Sequence, residues 1–175
     1  MASTSAQDAM RKRMFGHGSL MILSSLIGGL GLWCFLLGGF ELLPGHILEF
    51  QLPGSAAGWV RCHTGPVANG FMVILTGMGL PYLELPDSTA EWLGWIVMMD
   101  GWSNVGFYFF GNLSPNRALA FGESRLGPAN IFSFLALGPA YLFGVLAMGA
   151  FAKIGYHALA GGEVTKTNKM VNGKA

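Results

Sequence analysis

The sequence predicts an all-α integral membrane protein, a bundle of four transmembrane helices. Three observations point there. Charged residues make up only 11% of the 175, less than half the roughly 25% of a soluble domain. Four runs approach or exceed the about 20 mostly apolar residues that a bilayer crossing takes. Most of the basic residues gather at the two chain ends, seven of the ten Lys and Arg. The 27 Gly suit close helix packing in lipid, and the 13 Phe suit a lipid-facing or aromatic-lined interior.

The first span covers residues 19–40 and carries no charge. It exceeds the roughly 7–15 residues of a signal-peptide core, and no small-residue cleavage site follows it. Residues 41–63 are long for a helix hairpin. They hold two Pro-Gly pairs that read as turns, and are expected to lie at the interface or fold back over the bundle. The second span covers 64–83, with Thr64 as a candidate cap and Pro66 in the first turn. A short acidic turn, "ELPDST", leads to the third span, 92 to about 113, uncharged except for Asp100. The fourth is the uncharged run 126–152. Residues 1–14 are expected as an N-terminal tail, 15–160 as the membrane domain, and 161–175 as a mobile C-terminal tail. Even-numbered crossing puts both ends on one side, and the positive-inside rule makes that side cytoplasmic.

Several classes drop out. A net charge of +1 leaves no broad basic surface for nucleic acid. Cys34 and Cys62 form no C-x-x-C pair, which excludes covalent c-type haem and four-cysteine zinc sites. A single disulfide between them stays open.

The third span carries chemistry. Residues four apart on a helix differ by about 40°, so Asp100, Asn104, Tyr108 and Asn112 form a slowly drifting polar stripe. It must face protein or a wet cavity, because an ionised carboxylate mid-span costs about 2.5–3.5 kcal/mol on insertion scales. One reading is a seam that fastens helices, which suits Asn104 and Asn112. For Asp100 a functional reading is favoured, since Asn would fasten at lower cost. At the start of span two, His63 lies near the membrane face and Asn69 almost two turns deeper. His63 reads either as an interfacial, hydrogen-bonded side chain or as an axial haem ligand. With these boundaries none of the four histidines (His17, His46, His63 and His157) lies deep inside a span. A bis-His electron-transfer haem takes two facing histidines. A single one leaves iron an open position suited to Lewis-acid chemistry.

The blocks "GHGSLMI", "GGFELLPGHILEFQLPGS", "GWVRCHTGPVANG", "DGWSNVGFYFFGNLSPNRALAFG" and "GPAYLFGVLAMGAFAKIGY" occur in order between about residues 15 and 159. Together they closely resemble the styrene oxide isomerase family, small membrane enzymes of bacterial styrene degradation. That resemblance implies an isomerase converting aryl epoxides to aldehydes, styrene oxide to phenylacetaldehyde, by a Meinwald rearrangement. It implies a homotrimer in the bacterial inner membrane, with haem b between neighbouring subunits. The ferric haem would act as Lewis acid on the epoxide oxygen before a 1,2-hydride shift. The family's axial histidine falls on His63, its active-site asparagine on Asn69, its tyrosine on Tyr108 and its aspartate on Asp100. Arg61 is a candidate partner for a haem propionate. Trp102, Phe107, Phe109 and Phe110 are candidate apolar walls. A styrene monooxygenase supplying the epoxide is the implied partner. Two other classes stay open on the residues alone. One is a b-type haem electron-transfer subunit, for which His17, placed ahead of span one on the side opposite His63, is the nearest second ligand. The other is a small transporter using Asp100 as a proton or cation site.

Overall fold

The computed structural model describes residues 5–172, with side chains for residues 5–160. Helix α1 (Ser5–Leu37) leads into an antiparallel hairpin of β1 (Gly39–Leu43) and β2 (His46–Glu49). Helix α2 (Ala56–Gly79) follows, then a 3-10 turn (Leu80–Leu83), α3 (Asp87–Asn112), a long connection, and α4 (Ile131–Asn172). Helix α1 packs most extensively on α2, α2 on α3 and α3 on α4, and α1 also touches α3.

The expected four helices are all present. Three segments, Ser5–Leu37, Ala56–Leu83 and Ile131–Ala160, are long and apolar enough to cross a membrane. The 26 residues of α3 reach about 39 Å at 1.5 Å per residue, so length is not what separates it. Asp100, Ser103, Asn104 and Asn112 lower its apolar content. Large side chains such as Leu20, Leu26, Leu75, Leu142 and Met148 stay exposed on the outer faces of the other helices, as lipid-facing surface should be. The interior holds small or pliable residues. Met14, Met21, Val73, Val97 and Met98 are fully buried, and methionine fills irregular gaps between helices.

Several boundaries differ from the sequence reading. Helix α1 starts at Ser5, inside the segment expected as a tail, because Met10 and Met14 are buried against Gly94 of α3. Span one, expected to run to residue 40, ends as helix at Leu37, and its last residues join the following loop in a hairpin that pairs Gly39 with Glu49 and Phe40 with Leu48. Its Pro44-Gly45 turn uses Gly45 at φ +78°, a conformation that glycine adopts without strain. Helix α2 then begins two turns ahead of the expected start. Ser55 caps it, with extended backbone and a side chain that accepts from Gly58 N at 3.1 Å. Helix α4 starts later than expected, because Asn130 accepts from Ser133 N at 3.1 Å and caps it. The connection before it is tied by a buried polar knot, with Ser114 Oγ 2.6 Å from Ser133 Oγ and 2.8 Å from Asn116 Oδ1. The mobility expected of residues 161–175 falls on residues whose side chains lie outside those described.

Candidate functional site

Because α2 begins at Ala56, His63 lies two turns inside the helix rather than at its mouth. Thr64 is no cap. Its hydroxyl donates back to Val60 O at 2.9 Å. Pro66 is likewise interior, so the Cys62 carbonyl loses its usual N–H partner. Gly28 of α1 packs directly against that carbonyl. Only a glycine permits the approach, and it brings α1 close enough to grip His63.

The grip is specific. His63 Nδ1 lies 3.1 Å from the Ser25 carbonyl. A carbonyl can only accept, so Nδ1 carries a proton, and in the neutral ring this leaves the lone pair on Nε2. Ser25 Oγ donates to the His63 carbonyl. A Cβ placed on Gly29 would stand 2.7 Å from His63 Nδ1, so Gly29 makes the space for the ring. The ring itself is exposed on the single chain. A histidine with one nitrogen fixed by a backbone carbonyl, here that of Ser25, and the other open is the arrangement found in metal-ligating imidazoles. Ser25 and Gly29 were not identified from the sequence. The signal available was the small-residue run "SSLIGGLG", which marks where a second helix backbone can approach.

The opposite face of α2 meets α3. Gly58, Cys62, Gly65 and Asn69 recur at helical spacing along it. Gly65 packs on the Tyr108 ring, and Cys62 Sγ contacts Tyr108 O at 3.3 Å. Asn69, one turn beyond Gly65, is buried and donates Nδ2 to Gly65 O at 3.0 Å. The second amide hydrogen of Asn69 is left over. Among the described residues the Tyr108 hydroxyl has no protein hydrogen-bond partner. On α3, Asn104 donates to Asp100 Oδ1 at 3.2 Å and to Asp100 O at 3.1 Å. Asp100 is buried, beside Gly144 of α4. No cation pairs with it among the described residues. The stripe therefore drifts from the α4 side at Asp100 to the α2 side at Tyr108, and Asn69 joins it across the seam.

Asn112, at the end of the stripe, has a fastening role. Its Oδ1 accepts from Ser55 N at 2.9 Å, tying α3 to the start of α2. The aromatic walls are divided. Phe107 lies edge-on to Tyr108 with centroids 6.0 Å apart, whereas Phe109 faces Trp59 and Phe110 stacks on Phe132 of α4. Trp102 turns to α1, donating Nε1 to His17 Nδ1 at 3.0 Å. His17 thus sits inside α1 and is already engaged. It also lies eight residues before Ser25, about 12 Å along the axis, which sets it apart from the His63 ring.

One chain does not bring all the candidates together. His63 and Gly65 are two residues apart, so they point about 200° away from each other around α2. Asn69 and Tyr108 share the α2–α3 side, Asp100 lies toward α4, and His63 faces outward beside α1. Arg61 also points about 200° from His63. It lines a cavity of ≈ 570 Å³ with Arg117, Ser55, Asn112 and Phe132 among others.

Comparison with known proteins gives a consistent result. A family model described as styrene oxide isomerase matches residues 10–159. A protein named styrene-oxide isomerase, from Pseudomonas fluorescens, is 60% identical over 151 residues, covering 86% of this chain and 89% of that protein.

Proposed function

Since the chain belongs to the styrene oxide isomerase family and is an isomerase of epoxides to aldehydes, we propose that it rearranges styrene oxide to phenylacetaldehyde inside the bacterial inner membrane. The proposed architecture is four spans with both termini cytoplasmic. Three copies would form the unit, with haem b held between neighbours. The observation that carries this reading is the His63 imidazole, tied to Ser25 through Nδ1 and exposed on the other side. Its free nitrogen would hold the iron of a porphyrin. Its separation from Tyr108 within one chain supports a site completed by a second copy. When bound, the ferric porphyrin would supply Lewis-acid activation of the strained C–O bond.

The chain's own residues would then steer the rearrangement. The benzylic C–O bond opens first, because the aryl ring stabilises positive charge at that carbon. A hydride shifts from the terminal carbon to the benzylic carbon, and the terminal carbon becomes the carbonyl. Atoms and electrons balance with no water and no oxidant. The Tyr108 hydroxyl and the remaining Asn69 amide hydrogen are donors for the oxygen as its negative charge grows. Asp100 would stabilise the cation electrostatically. Its bond from Asn104 holds the carboxylate back, which discourages covalent capture of the benzylic carbon. Apolar surroundings keep out the water that would give a diol. Arg61, turned away from His63 of its own chain, would offer its guanidinium to a propionate of the haem carried by a neighbour. A styrene monooxygenase is the proposed source of the epoxide.

Deuterium labelling tests the reaction. Styrene oxide carrying two deuterons on the terminal carbon should give phenylacetaldehyde with one deuteron on each side-chain carbon. Loss of the migrating deuteron to solvent would contradict an internal hydride shift.

A further inference from the structure

At the end of the bundle that carries the N-terminal basic residues, α1 and α2 leave a groove. It holds ≈ 390 Å³ and is lined by Arg11, Lys12, Phe15, Ile74, Met78 and Tyr82. The lining separates by depth. Arg11 and Lys12 lie just before the uncharged part of α1, where the helix leaves water. Phe15 follows one turn on. Across the groove, Ile74 and Met78 are four apart at the end of α2, and Tyr82 stands in the turn after it. The result is a cationic rim over an apolar floor, with no carboxylate in the lining.

The fold uses only part of this charge. Arg13 is accounted for: it lies 3.8 Å from Glu91 and its guanidinium sits 5.9 Å from the Trp95 ring, both on α3. Arg11 is paired in part with Asp8 at 3.0 Å, an exposed contact that solvent weakens. Lys12 has no ion-pair partner among the described residues. Two adjacent cations thus stand over an apolar trough, just ahead of the uncharged run of α1.

We propose that this groove is a binding site for an anionic phospholipid, with the phosphate at Arg11 and Lys12 and an acyl chain along Phe15, Ile74 and Met78. Tyr82 sits at headgroup depth, as interfacial tyrosines do. Basic pockets between membrane helices are a recurring means of holding acidic headgroups. The site is independent of the catalytic residues.

The test uses the full-length protein in nanodiscs of mixed phosphatidylglycerol and phosphatidylcholine, with bound lipid read by native mass spectrometry. The wild type should enrich phosphatidylglycerol. The variant R11Q/K12Q should lose that enrichment, by about fivefold if Asp8 already cancels Arg11 and about 30-fold if both charges act. The variant R13Q removes one charge from the same turn but a different face, and should retain the lipid. Failure of the wild type to enrich phosphatidylglycerol overturns the proposal without any variant. Equal retention by R11Q/K12Q, or equal loss by R13Q, overturns it as well.

Discussion

Ser25 holds His63 from two directions: its carbonyl oxygen lies 3.1 Å from Nδ1, and its hydroxyl donates to the His63 carbonyl. The first bond fixes the ring's tautomer and the second fixes the backbone beneath it. Both depend on the close approach of α1 to α2 that Gly28 and Gly29 permit.

Gly29→Ala should therefore weaken haem retention more than Ser25→Ala. The alanine methyl would push on Nδ1 and turn the ring, and losses of metal-ligand support typically cost about 10- to 100-fold in affinity. Ser25→Ala keeps the carbonyl and removes one hydrogen bond, about 1 kcal/mol of stability. Visible absorbance of the two purified variants under haem titration checks the order. Equal retention by both would remove Gly29 from the site.

Tyr108→Phe should keep haem and lower kcat by about 10- to 100-fold, the range of a hydrogen bond to a developing charge, about 1.5–3 kcal/mol. The hydroxyl has no hydrogen-bond partner to lose among the described residues, so melting temperature should hardly move. Steady-state kinetics with styrene oxide, alongside a melting curve, tests this. An unchanged kcat would take Tyr108 out of the mechanism.

Asp100→Asn should separate activity from stability. Amide replaces carboxylate at nearly equal size and still accepts from Asn104, while the cost of burying a carboxylate with no cation beside it among the described residues disappears. Stability should hold or rise, whereas kcat should fall as the cation loses its counter-charge. A variant that is less stable and fully active would assign Asp100 a purely structural role.

Asn112→Ala should do the reverse. It removes the acceptor for Ser55 N and frees the start of α2, for a loss of about 1 kcal/mol. Thermal unfolding should show the loss, with kcat per haem unchanged. A drop in kcat per haem without a change in melting would move Asn112 into the site.

The helices were legible in the sequence because charge-free runs of that length leave few alternatives. Boundaries were less so. Thr64 and Pro66 read as a helix start because a first-turn proline is tolerated, yet "PGS" held the actual cap, Ser55, nine residues before Thr64. Arg61 obscured it by interrupting the apolar pattern. Of the site, the stripe on α3 followed from spacing alone, while the roles of His63 and Asn69 came from family resemblance. What spacing could not reveal was the partner of each residue. Ser25 meets His63 across 38 positions, and Gly65 meets Tyr108 across the next helix pair, contacts set by which helix faces which. The splitting of His63 from Tyr108 became visible only once the α1–α2 and α2–α3 faces were known.

The decisive measurement is isomerase rate against haem content, in detergent-purified protein depleted of haem and then titrated with it. Soret absorbance and phenylacetaldehyde formation should rise together in the wild type and stay at baseline in His63→Ala. Full turnover in the haem-depleted protein, or in His63→Ala, would contradict a haem-dependent site at His63.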